Sequence, residues 1–166
     1  MTLPGTRNLA LLSALAAGLA LGLALASEKF EGLVPCALCL LERWPYRVAI
    51  VLALLAVVVP RGIARLLLML VVLSMLVSTA LAFIHVGVEL HYWPSPLPEC
   101  AAPRFTGGSI ADRLAHMPAK PGKPCDDPTY LIPGLPVSMA AMNFLYALAF
   151  AVVLGGLLWR DRRNTP

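Results

Sequence analysis

Twenty uncharged residues, NLALLSALAAGLALGLALAS, fill the interval Asn8 to Ser27 between Arg7 and Glu28. A helix crossing a hydrocarbon core of ~30 Å needs ~20 apolar residues, so this run is long enough to span. Two more runs of this kind occupy 66–85 and 137–159. A fourth is less clean, because Val48–Pro60 offers only 13 uncharged residues. It spans only if its helix begins near Cys36, which makes the segment 37–60 and draws Glu42, Arg43 and Arg47 into its outer half. Composition agrees: 59% of residues are hydrophobic and 13% charged, with a mean hydropathy of +0.79, against roughly 45–50% apolar in soluble domains. The expected fold is an all-α membrane protein, a single integral domain over 1–166 built as a four-transmembrane-helix bundle in the lipid bilayer. The net charge of +4 is explained by anchoring arginines. No basic stripe with interleaved aromatics points to nucleic acid.

The connecting loops are 28–36 and 86–136. Arg61 and Arg65 lie in a turn of about five residues, and Arg160, Arg162 and Arg163 crowd the tail, whereas Arg104, Arg113, Lys120 and Lys123 are spread over about fifty residues. The positive-inside rule then makes both termini and the short turn cytoplasmic, and puts all four cysteines on the outer face. Arg43 and Arg47 stand against that rule, so they either snorkel to outer headgroups or carry function. Ala24-Leu25-Ala26 before Ser27 resembles a signal-peptidase site. The apolar run exceeds the usual 7–15 residues of a signal h-region, which favours a retained helix.

The loop 86–136 holds ten of the fifteen prolines. That density argues against a packed domain and for a flexible flap on the membrane surface. Within it "SIADRLAHM" combines an N-cap Ser109 with Ile110, Leu114 and Met117 at helical spacing, the pattern of a short amphipathic helix lying in the interface. The alternative is a helical turn packed on the loop itself.

Four cysteines allow three pairings. Outside the inner membrane disulfides are permitted, so Cys36/Cys39 and Cys100/Cys125 read as two disulfides, the second closing a loop of 24 intervening residues. Zinc fits poorly because the second pair lacks the short spacing of a zinc knuckle, so no metal is expected. Leu40 follows Cys39 where a c-type haem motif requires histidine. Pro35 suits the start of a helix, which places the first pair in its first turn, where free N–H groups and the helix dipole favour thiolate. Arg43, four residues past Cys39 and seven past Cys36, is expected on the same helical face. A disulfide inside one turn closes almost no loop and stabilises little, whereas an ionisable residue at membrane depth is a functional hypothesis by default. The pair reads as redox chemistry.

In order, "PCALCLLERWPYR", "HVGVELHYWPSPLPEC" and "CDDPTYLIPGLPVSMAAMNFLYAL" resemble the DsbB family of bacterial inner-membrane thiol oxidases, over essentially all of Arg7 to Arg163. The resemblance implies reoxidation of a periplasmic DsbA-like thiol oxidant, with the electrons passing to membrane quinone, ubiquinone or menaquinone. Cys100 is then the sulfur attacked by the partner, and Cys125 is released. Cys125 attacks Cys36, which frees Cys39 as the thiolate that reacts with quinone. The exposed loop is expected to give Cys100 its access. Arg43 matches the family's quinone-site arginine. For the family's histidine there are two candidates, His85 and His91, with His85 preferred because it sits at the helix end. Glu89 and Asn143 are weaker candidates, and a lone Asn in a spanning helix is more often interhelical glue. Trp44, Tyr92 and Trp93 read as interfacial belt residues. The competing reading from another class is a non-enzymatic tetraspan protein with inert structural disulfides.

Overall fold

Leucine and alanine runs facing lipid must satisfy their backbone groups internally, and a helix does this within one segment. The computed structural model describes residues 5–100, 109, 111, 123–131 and 134–163. It contains α1 (Thr6–Phe30), α2 (Ala37–Val58), α3 (Arg61–Glu89), a 3-10 turn (Pro98–Cys100) and α4 (Met139–Arg163). Three of the helices, α1, α3 and α4, are long and apolar enough to cross a membrane by length and composition. The remaining one, α2, carries Glu42, Arg43 and Arg47 in its first half, and the first two are buried inside the bundle. The amphipathic segment expected over 109–117 lies outside the described residues apart from Ser109 and Ala111.

The helices run past their apolar stretches. α1 continues through Glu28 and Lys29 to Phe30, and the chain then turns at Gly32, whose φ of +67° is the left-handed conformation that glycine adopts without penalty. The short turn after α2 differs from expectation, because α3 already begins at Arg61 with Pro60 as its N-cap. Proline ends α2, since its ring blocks continuation, and its fixed φ lets the next helix start at once. Arg61 and Arg65 therefore stand on α3 itself, where both donate to Asp161 of α4, at 2.8 and 2.6 Å.

Neighbouring helices pack in chain order, α1 on α2, α2 on α3 and α3 on α4. Lipid is as apolar as leucine, so close van der Waals approach drives helix association in a membrane. Small residues accordingly occupy the seams: Ala10, Ala17, Ala49, Ala53, Ala56 and Ala147 are all fully buried. Leu12, Leu15, Leu19 and Leu23 face outward. Polar contacts add register. Ser74 Oγ on α3 donates to the carbonyl of Pro45 inside α2 at 2.8 Å, and Tyr146 OH on α4 donates to the carbonyl of Ala16 on α1 at 2.9 Å. Cavities between α1 and α4 lie on either side of that last bond.

Candidate active site

The site begins at the first turn of α2. Cys36 is the N-cap of the helix, one position before its first turn, with extended backbone, and its sulfur accepts the N–H of Cys39 at 3.2 Å. Sulfur thus fills the role that serine or aspartate oxygen usually plays at a helix start. The two sulfurs are 2.7 Å apart and unbonded. The disulfide expected between them is not formed in this structure, and the cap holds the two sulfurs side by side. The Cys36 thiol is brought below its ordinary range, first by the hydrogen bond with the Cys39 side chain and further by the Cys39 N–H, against the cost of burial.

Three helices converge behind this pair. His85, near the end of α3, is buried, with Nε2 3.4 Å from Cys36 Sγ and Nδ1 2.7 Å from Glu42 Oε1. A carboxylate accepts, so Nδ1 carries the hydrogen and Nε2 presents its lone pair to sulfur. The other oxygen of Glu42 accepts from Asn143 Nδ2 at 2.6 Å, and Asn143 Oδ1 accepts from Tyr46 OH at 2.5 Å. Buried polar groups are costly unless paired, and here each is held by a neighbour from another helix. In the sequence Glu42 is legible as a charge in a spanning segment and as the glutamate of the Glu-Arg after the cysteine motif, not as the partner of His85. Tyr46 was not singled out at all, although its place four residues after Glu42 puts both on one face.

Arg43 is also buried, and its guanidinium donates to Glu28 Oε2 on α1 at 2.8 Å. The overrun of α1 beyond its apolar stretch is what supplies this partner. Arg47 is exposed, with its guanidinium 5.2 Å from the centroid of the Trp44 ring. A cavity of about 480 Å³ opens beside these residues, its apolar wall shared by leucine and alanine of α1, the turn after it and the start of α4, with Cys39, Glu42, Arg43, Tyr46, His85 and Asn143 among its polar groups. Cys39 and Arg43 thus border one space. Cys36 does not line it and turns instead toward His85, away from the common face expected for all three.

The second cysteine pair, Cys100–Cys125, is a disulfide. Both residues are buried, at 5% and 1% exposure, in one cluster with Cys36, Leu38 and Val88. This corrects the expectation of an exposed Cys100. The 3-10 turn packs against the start of α2, and an apolar sulfur pair is covered by the aliphatic side chains it finds there. Of the other candidates, His91 is exposed with a φ of +59°, and Glu89 accepts from Ser138 Oγ at 2.5 Å. Trp93 folds back over Gly87 and donates its indole N–H to the carbonyl of Ile84 at 3.0 Å. A Cβ at position 87 would come within 1.9 Å of the ring, so glycine is required for that close approach.

The sequence model of a known family, disulfide bond formation protein DsbB, matches residues 6–157. The chain belongs to the DsbB family. It is therefore a multi-pass membrane thiol oxidase, a quinone-dependent disulfide oxidoreductase by family. No curated protein and no solved structure matches it.

Proposed function

We propose that the chain carries electrons from a periplasmic DsbA-like dithiol through Cys100–Cys125 and then Cys36/Cys39 to a quinone held beside Cys39 and Arg43. The cysteine end of the bundle faces the periplasm in this reading, and Arg61, Arg65, Arg160, Arg162 and Arg163 at the other end face the cytoplasm. The observation that carries it is the burial of Cys36, Cys100 and Cys125 in one cluster, next to a pair whose other sulfur borders an apolar cavity.

The exchange steps balance. A partner thiolate attacks Cys100 Sγ, the Cys100–Cys125 bond breaks, and Cys125 leaves as thiolate. The partner's second thiol then attacks the mixed disulfide and departs oxidised, leaving Cys100 as a thiol. When Cys36 and Cys39 are joined, Cys125 attacks Cys36 Sγ and releases Cys39. Attack by Cys100 on Cys125 restores the outer disulfide and leaves Cys36 reduced. Two electrons then rest on the inner pair. Because Cys100 is buried, the first attack requires the outer loop to part from α2.

A cavity of this size and apolar lining, with a few convergent polar groups, suits a ring-bearing lipid. Bound there, a quinone supplies the sink for two electrons and two protons. Arg43 keeps a fixed positive charge on the cavity wall, which favours negative charge developing in the space beside it. His85 Nε2 stands to take the Cys36 proton, while Glu42 fixes the tautomer through Nδ1, and Asn143 with Tyr46 holds Glu42 in place.

The decisive experiment traps the first step with a reduced DsbA-like partner whose second thiol is replaced by serine. With that thiol gone the mixed disulfide with Cys100 is not resolved, so a covalent adduct accumulates on non-reducing gels, and Cys100→Ser forms none. Folded protein that forms no such adduct with the single-thiol partner would sink the relay.

A further inference from the structure

We propose that the reduced pair Cys36 and Cys39 together with His85 forms a three-ligand site for Zn2+, and that the metal inhibits the oxidase by occupying it. The sulfur and imidazole donor atoms of these residues all lie within 4.8 Å of one another. Tetrahedral zinc with Zn–S of ~2.3 Å and Zn–N of ~2.0–2.1 Å requires neighbouring donors roughly 3.5 Å apart for S and N and roughly 3.8 Å for two sulfurs. Cys36 Sγ and His85 Nε2 already stand at 3.4 Å. The sulfurs, at 2.7 Å, must open, and Cys39 borders the cavity, so its side chain has space to rotate into. A thiolate-rich donor set selects zinc over hard cations such as magnesium or calcium.

The surroundings are those of a metal histidine. Ligating imidazoles almost always donate their other N–H to a carboxylate or carbonyl, which fixes the tautomer and raises the basicity of the donor nitrogen. His85 Nδ1 meets Glu42 Oε1 at 2.7 Å, and Glu42 is itself held by Asn143 at 2.6 Å. Cys36 Sγ accepts the Cys39 N–H, a bond that supports a thiolate. Three protein ligands with a fourth position open to a cavity is the arrangement of zinc sites that keep a water. Cysteine spacing by itself disfavours zinc. The third donor comes from another helix, 49 residues from Cys36, and only the packed bundle brings it to the pair.

Binding takes both sulfurs as thiolates and releases their two protons to solvent; zinc neither gives nor accepts electrons. A dithiol so held cannot form its disulfide, and this inhibitory consequence rests on the reading of Cys36 and Cys39 given under Proposed function.

The test uses the purified full-length protein in detergent, without partner or quinone, with Cys100 and Cys125 replaced by serine so that one pair remains. Zn2+ binding is read by competition with a chromophoric chelator, and Co2+ is added in parallel as a spectroscopic probe. One equivalent is expected to bind the reduced form, with a thiolate-to-cobalt charge-transfer band, and none to bind after Cys36 and Cys39 are oxidised to a disulfide. Glu42→Gln, which leaves all three ligands in place, should weaken binding about 10–100-fold, and His85→Gln should weaken it at least as much. The absence of a charge-transfer band, or equal affinity in the parent and both variants, overturns the site. The same Zn2+ concentration is then applied to the parent enzyme during turnover. Failure to bind leaves the electron relay untouched, whereas tight binding without inhibition overturns the inhibitory claim and removes Cys36 and Cys39 from the electron route.

Discussion

The two ends of the bundle use the same ingredients to different ends. At the arginine end, Asp161 on α4 accepts from Arg61 and Arg65 on α3, and the Arg61 side chain is 57% exposed. One anion is closed off between two cations, and the result is a clasp joining two helices near water. At the cysteine end, Glu42 also has two partners, His85 and Asn143, and neither carries the permanent charge of an arginine. The cation that follows Glu42 in sequence, Arg43, is paired elsewhere, with Glu28. Charges there are spread around a cavity. A compact ion cluster fixes position; a dispersed one leaves oriented groups facing a space in which chemistry can occur.

The strongest way to break this contrast is at Arg43. Arg43→Ala should reduce thiol oxidation mainly at limiting quinone, by roughly one to two decades, since a hydrogen bond to a charged group is worth ~1.5–3 kcal/mol and ~1.4 kcal/mol is a decade. Arg43→Lys keeps charge but loses the planar fork and should fall between. The measurement is oxidation of a reduced partner dithiol across a quinone titration, and identical curves for Arg43→Ala and parent would reduce Arg43 to an anchor.

Gly87→Ala sharpens the comparison by perturbing the cysteine end without touching a charge. The new methyl must displace the Trp93 ring, which costs about 1–2 kcal/mol, the lower part of the range for overpacking, because the ring is 36% exposed and can swing outward. A lowered thermal midpoint together with shifted Trp93 emission is expected. An unchanged emission spectrum would mean that the ring does not rest there.

The smallest effect belongs to the clasp. Asp161→Asn should cost only about 0.5–1 kcal/mol of stability, as for ion pairs near solvent, and should leave the quinone dependence of turnover unaltered. A changed dependence would show that the two ends are coupled and that the contrast drawn here is wrong.

Whether a residue of the site was legible in the sequence depended on how far its partner lay along the chain. Cys36 and Cys39 announce themselves, because their contact is three residues long and the helix start is marked by Pro35. Arg43 could be assigned to the site from its spacing, but its partner could not: Glu28 lies 15 residues earlier, just past the uncharged run that ends at Ser27. The burial of Cys100 was likewise invisible, since proline density describes a loop's stiffness and says nothing about what it packs against.

Hydrophobic length is a local quantity, so the chain by itself determines how many helices can cross a membrane and where they lie along the sequence. Cysteine spacing is local too, and it separates a short pair from a long one. Which faces of those helices meet is a different matter. Leucine and alanine surround α1 and α3 on nearly every side, leaving little polar asymmetry to orient them about their axes. Only the packed bundle decides that rotation, through alanine seams that admit close approach. It thereby brings His85 to Glu42 across 43 residues and Asn143 to the same carboxylate across 101, because a buried carboxylate must find its donors wherever the fold presents them.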